Sequence, residues 1–422
     1  MTKKIKLTIL FCGILILSLG FISGFYVHKY QPPFYTKIKN ELIIGKIIKN
    51  QSNLLRSKYY TDDVLNKTKQ NEFINSKLFT NFFNLVSKTA YYNFLKNKNS
   101  LKDNFLKENI LDENQIFFER LDKKKNKEFE KLHFNPSHQE DNYQIFQVKY
   151  YEHSNIGVLH KSITKKEGGK KILIYNQGHS GGSYKNEYFL KLKSKYISEG
   201  YDILNLNMPM RGMNFLINKY TDFPVNPYKN ILPSVDINYP FVGTVKHQLF
   251  KYFYDKNYPN KKPLSLFLSG NYYLIKKILL LNNYSEIKII GHSGGGLQAI
   301  YNMFLIPEIS KGYISSGFFT KTHRIDGGSG WGDWEHNYSD FIMNNNYFDL
   351  IYGSLIDESE KFNRELIFQF NNLDPSCCGY PYSKNFVNLL NNLGKDLNLN
   401  LSAYFIEKDF HKIHLNTLYE NF

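Results

Sequence analysis

From Tyr143 onward the chain alternates short apolar runs with helix-length stretches, and this alternation constrains the fold more than any other feature of the sequence. Candidate strands cover Tyr143–Glu152, Gly157–Thr164, Ile172–Tyr175, Tyr201–Leu206, Ile287–Ile290, Gly312–Ser316, Leu366–Phe370 and Leu401–Ile406. Candidate helices fall between the later ones, at Tyr188–Ser198, Leu274–Leu281, Leu297–Leu305 and Phe386–Leu393. A strand followed by a helix and then another strand returns parallel to the first, so the pattern predicts an α/β fold with a mostly parallel central sheet covered by helices on both faces. Two excursions interrupt it, one over Met208–Pro263 and one through Trp331 and Trp334. A composition of 42% hydrophobic and 22% charged residues over 422 positions supplies enough apolar surface for one large core.

The residues before Tyr143 read differently. Met1–Lys6 carries three lysines, and Leu7–Val27 then runs without a charge at about the length a helix needs to cross a hydrocarbon core. The basic flank predicts a cytoplasmic tail over 1–6, a transmembrane signal anchor over 7–27, and the remainder on the extracytoplasmic side, as in a single-pass membrane protein. A cleaved signal peptide is the alternative, against which stand the length of the run and the lack of an A-x-A-like site. Residues 28–142 show apolar positions at three- and four-residue spacing (Leu42, Ile43, Ile47, then Phe79, Phe82, Phe83, Val86) and predict a helical stem or cap, with the catalytic domain at 143–422.

Chemistry concentrates at the ends of the strands. Gly291-His292-Ser293-Gly294-Gly295 fits G-x-S-x-G, entered by the strand Ile287–Ile290 and left by the apolar helix that begins Leu297-Gln298-Ala299-Ile300. That is the strand-turn-helix context in which a serine becomes a nucleophile, because the turn lifts its hydroxyl off the sheet while the helix start offers N–H groups to an oxyanion. The same five letters occur at Gly178-His179-Ser180-Gly181-Gly182, followed by the polar Ser183-Tyr184-Lys185-Asn186-Glu187 rather than an apolar helix. A serine nucleophile needs a base, and the base a carboxylate to fix its tautomer. Asp374 follows the strand Leu366–Phe370, and His411 follows Leu401–Ile406, giving the order Ser…Asp…His. His414 is the alternative base, and Asp409 a weaker carboxylate because it follows the same strand as the histidines.

Over about Tyr143 to Phe422 these features resemble the α/β-hydrolase superfamily: the segment Asn176 to Gly182, the elbow around Ser293, and the placing of Asp374 and His411. More loosely, Gly332-Asp333-Trp334-Glu335-His336 and the stretch from Asp374 to Cys378 are similar to acetyl-esterase-like and dienelactone-hydrolase-like members. The resemblance implies Ser293 as nucleophile, His411 as base, Asp374 as its carboxylate, and an oxyanion hole from the backbone of His179 and Ser180 together with Gly294. It also implies acyl transfer to serine and hydrolysis without a cofactor, on a small-molecule, glycan or lipid acyl ester. A serine peptidase, thioesterase or acyltransferase would use the same triad, and an anchored binding protein would use the fold alone. Arg211, His247, Trp331 and Trp334 are candidates for the pocket wall, since inserted segments often build it.

The formal charge of +16 does not point to nucleic acid. It is carried almost entirely by Lys, with Arg only at 56, 120, 211, 324 and 364, whereas base and phosphate readers favour the Arg fork. Cys12, Cys377 and Cys378 cannot build a disulfide framework and have no metal-ligand spacing, so no metal is expected.

Overall fold

The computed structural model describes residues 75–122, 127, 142–150, 153–164, 169–179, 184, 186–209, 213–214, 264–318, 347–356, 364–374, 379 and 382–422, with backbone alone for Leu78, Phe82 and Tyr382. Outside these fall the expected tail, the anchor at 7–27, residues 28–74, Ser180, the three cysteines, and Arg211, His247, Trp331 and Trp334.

In chain order the elements are α1 (Lys77–Asn109), β1 (Ile116–Arg120), β2 (Tyr143–Tyr150), β3 (His153–His160), β4 (Lys170–Gln177), α2 (Glu187–Ser198), β5 (Tyr201–Asn207), α3 (Leu264–Leu281), β6 (Tyr284–His292), α4 (Gly294–Leu305), β7 (Lys311–Ser315), α5 (Tyr347–Leu355), β8 (Glu365–Asn371), α6 (Tyr382–Asp396), β9 (Leu401–Ile406) and α7 (Leu415–Asn421). The strands form one sheet in the order β1-β2-β3-β5-β4-β6-β7-β8-β9. The pairs from β1 to β5 are antiparallel, and from β5 through β4 to β9 every pair is parallel. The chain passes outward from β4 to β5, then crosses back over β4 to lay down β6 on its other side. That reversal leaves a crevice at the carboxyl ends of β4 and β6, where ligands bind in open sheets of this kind.

The parallel strands read as continuous apolar runs because both their faces are covered. On one face Leu173, Tyr175, Ile290, Tyr313 and Ile367 pack with Phe189, Leu192 and Tyr196 of α2 and Leu418 of α7. On the other face lie α3, α4, α5 and α6, against which α1 packs as a further layer. Helix α3 is long and apolar enough to span a membrane by length and composition, yet 72% of it is buried in this unit, so it is a core helix.

Two expectations need correction. The boundary at 143 has no counterpart, because α1 and β1 belong to the same unit as the sheet. The Ser76 side chain caps α1 by accepting from Phe79 N at 3.1 Å. Phe83 then meets the rings of Phe348 at 5.3 Å and Phe386 at 6.4 Å, and Phe105 stacks on Tyr301 at 5.6 Å. Strand β1 extends the sheet by pairing Ile116–Arg120 with β2. The Lys- and Asn-rich texture that suggested a separate stem is the solvent side of this layer.

The second strand also begins earlier, at His153 rather than Gly157. Its polar start looks like a turn, but Asn155 is fully buried, accepting from Tyr150 OH at 3.0 Å and donating to Asn271 Oδ1 at 2.8 Å. Asn271 in turn donates to Gln298 of α4, so a chain of buried amides fastens the elbow helix to α3 and β3. Helix α5 lies in what the sequence presented as an excursion.

Candidate active site

The elbow is built by strain and by close approach. Ser293 has φ 56° and ψ −133°, a conformation that costs a non-glycine residue on the order of 1–3 kcal/mol and persists only where its surroundings enforce it. Enforcement comes from both sides: Ser293 N donates to Ser315 O at 2.9 Å, and its carbonyl accepts from Gly296 N at 2.8 Å. Helix α4 starts at the next residue, so its first N–H groups gather beside the hydroxyl. At its far end α4 is held by Arg364, which is buried and donates to the carbonyls of Ile309 at 3.0 Å, Gly353 at 2.8 Å and also Met303. A cation there suits the negative end of the helix.

The first Gly-His-Ser-Gly-Gly copy folds onto the second. Strands β4 and β6 are neighbours with Asn176 opposite Gly291, which brings the loop after β4 alongside the elbow. A Cβ on Gly178 would lie 2.6 Å from His292 O and 2.7 Å from Ser293 Cβ, and one on Gly294 would lie 2.7 Å from the His179 ring. A Cβ on Gly295 would lie 2.2 Å from Asn176 O. Side chains are excluded at this seam, so backbone can meet backbone next to Ser293. His179 and Gly294, both expected at the oxyanion hole, are thus brought together, while Ser180 lies outside the described residues.

The carboxylate and base candidates also converge. His411 Nδ1 is 2.7 Å from Asp374 Oδ2, with the carboxylate side chain fully buried and the imidazole 22% exposed. A buried carboxylate on Nδ1 fixes the ring's rotation and leaves Nε2 outward. The His411 ring lies 4.7 Å, centroid to centroid, from that of His292, the residue before Ser293. His414, the alternative base, has other work. It is the N-cap of α7, with Nδ1 accepting from Thr417 N at 3.3 Å and bonding Thr417 Oγ1 at 2.8 Å. Asp409 is bound by Lys412 Nζ at 2.7 Å.

Three residues at the site had not been singled out. His292 is buried, and burial first, then the neighbouring His411, lowers its pKa from 6.5 to about 3, so it stays neutral. Gln369 and Asn371, both fully buried near the end of β8, hold the loop that carries His411. Their sequence signal is a pair of amides alternating with phenylalanines in an otherwise apolar strand, Phe368-Gln369-Phe370-Asn371.

A central reversal, an elbow after the strand beside it, and candidate residues at successive carboxyl ends define an α/β-hydrolase fold. No protein-family model matches the chain, and no curated protein does. Solved structures similar to it include the esterase Est1E from Butyrivibrio proteoclasticus, at 14% identity over 65% of this chain and 93% of that one, with a TM-score of 0.39. Acetyl xylan esterase 1 from a Thermoanaerobacterium species aligns at 14% identity over 77% and 92%, TM-score 0.36. An esterase of Pyrococcus furiosus aligns at 16% over 66% and 88%, TM-score 0.34. At such identities and TM-scores these are distant likenesses, and the fold assignment stands on the strand order and the elbow.

Proposed function

We propose that this protein is a serine hydrolase that cleaves carboxylic esters through Ser293, His411 and Asp374. The observation that carries the reading is the pairing of Asp374 with His411 at 2.7 Å, stacked on the residue next to a strained serine at a helix start. In this reading His411 Nε2 takes the proton from the Ser293 hydroxyl as its oxygen attacks the ester carbonyl. Asp374 holds Nδ1–H and stabilises the imidazolium, without itself taking the proton. The N–H of Gly294 and the backbone at His179 and Ser180 receive the oxyanion; the tetrahedral intermediate then collapses as His411 protonates the departing alcohol. Water, deprotonated by the same base, attacks the acyl-enzyme and releases the acid. No cofactor enters these steps.

The purified chain should hydrolyse p-nitrophenyl acetate and be labelled at Ser293 by a fluorophosphonate. Labelling that survives in Ser293→Ala would reject the nucleophile. A panel of ester, thioester and amide substrates separates an esterase from a thioesterase or peptidase, and added alcohols test for acyl transfer. From the apolar run at 7–27 we also propose a single-pass anchor that places the hydrolase on the extracytoplasmic face, acting on envelope glycan or lipid esters. Alkaline extraction of membranes tests it: release of the uncleaved chain would exclude a spanning helix.

A further inference from the structure

We infer that Asn371 and Gln369 are positioning residues that set the height of His411 above the sheet, acting on its backbone while Asp374 acts on its ring. The inference rests on His411 being the base. Strands β8 and β9 are parallel neighbours that end level, with Asn371 opposite Ile406. Past that point both chains leave the sheet, and ladder bonding gives way to a few specific contacts: Asn372 N to Ile406 O at 2.8 Å and Leu373 N to Asp409 O at 3.0 Å. From Phe410 to His414 the loop holding the base has left its strand, and side chains take over.

The Asn371 amide donates to Lys412 O at 2.7 Å and also to Phe410 O, the carbonyls on either side of His411. Gln369 Nε2 donates to Lys412 O at 3.1 Å and to Asn371 Oδ1, while its Oε1 accepts from His414 N at 2.9 Å and from Tyr313 OH at 3.1 Å. Ser315 Oγ adds a contact to Lys412 O at 3.3 Å. The chemistry fixes which residues can serve. Two carbonyls side by side demand two donors from one small group, which a primary amide supplies and a carboxylate of the same shape does not. Both amides are fully buried, so water cannot replace them cheaply. Asn371 lies three residues before Asp374 on the same segment, which therefore grips the base twice.

The test compares the intact chain with Asn371→Leu, close in volume but without donors, and Asn371→Asp, the same shape without donors when ionised. With p-nitrophenyl acetate, kcat is expected to fall about 10- to 100-fold, since a small misplacement of a reacting group has that scale of effect, while KM stays nearly constant. The rate of fluorophosphonate labelling should fall in proportion, and melting should remain cooperative. Folded variants with wild-type kcat and labelling rate would overturn the inference. If neither variant folds, Gln369→Met removes the Lys412 contact alone and should slow labelling less, while wild-type labelling there would equally overturn it. Independently of activity, the downfield proton resonance of the His411 Nδ1–H should broaden in the variants, and an unchanged resonance would refute the clamp. A wild-type chain that neither hydrolyses esters nor takes the label would sink the hydrolase reading, leaving that resonance to decide the positioning role.

Discussion

Gly-His-Ser-Gly-Gly occurs twice in this chain with opposite consequences. At 291–295 the pentapeptide turns directly into a buried helix, and its serine is forced to φ 56°. At 178–179 the chain leaves β4 without starting a helix, and Gly178 lies against the backbone of the other copy. Identical local chemistry therefore gives a strained turn in one place and a flanking loop in the other. The difference lies in the residues next along the chain: Leu297, Ala299 and Ile300 can bury a helix against the sheet, whereas Ser183 to Glu187 cannot. The lesson is that the letters permit an elbow, and the apolar helix behind them makes one.

The sharpest test of that asymmetry exchanges each serine. Ser293→Ala should lower kcat on p-nitrophenyl acetate by about 10⁴-fold or more, as loss of an activated nucleophile does, whereas Ser180→Ala should leave it little changed because only backbone is used there. Equal losses would break the distinction between the copies. Next in size is the seam between them. In Gly291→Ala the new methyl would meet Gly295 O at 2.3 Å, backbone that cannot swing aside, so a loss of about 3 kcal/mol in urea denaturation is expected. Gly178→Ala should spare more stability and lose kcat instead, because the methyl pushes the loop off Ser293.

A smaller effect separates the two histidines that come after β9. His414→Ala should cost about 1 kcal/mol as a lost helix cap with kcat retained, while His411→Ala should abolish turnover with the melting temperature kept. The smallest effect is a pH slope. His292 in the elbow is held neutral, its pKa lowered to about 3 chiefly by burial. Below its ordinary value the unfolded chain takes up a proton that the folded chain refuses. The stability is therefore complete above about pH 6.5 and drains away as pH falls toward 3, by up to about 1.4 kcal/mol per pH unit. His160 and His153, lowered to about 3 and about 4 by burial, act in the same sense. Urea midpoints measured between pH 7 and pH 5 should fall, and His292→Gln should flatten that dependence; an unaltered slope would mean His292 is hydrated.

Much of the fold was legible because its signals are local. The strand Leu401–Ile406 was found at its true ends, and the elbow strand and helix were found with their ends short, since residues such as Tyr284 and Ser285 carry no apolar period. Asn155 misled for the opposite reason. Its polarity suggested a turn, and only a partner 116 residues away, Asn271, explains its place inside a strand. Helix α1 looked detached because the surfaces that bury Phe83 and Phe105 come from α4, α5 and α6, far along the chain.

By itself the sequence determined the alternation of strands and helices, the glycines that let the elbow form, and the order in which serine, carboxylate and imidazole leave successive strands. These stem from backbone sterics and from the period of apolar residues, which act over a few positions. Only the tertiary structure decided that His411 rather than His414 meets Asp374, that Asn371 and Gln369 hold the loop between them, and that α1 joins the core. Each of those choices turns on distances of a few ångströms between groups tens to hundreds of residues apart, and hydrogen bonding and packing discriminate at that range whatever the separation along the chain.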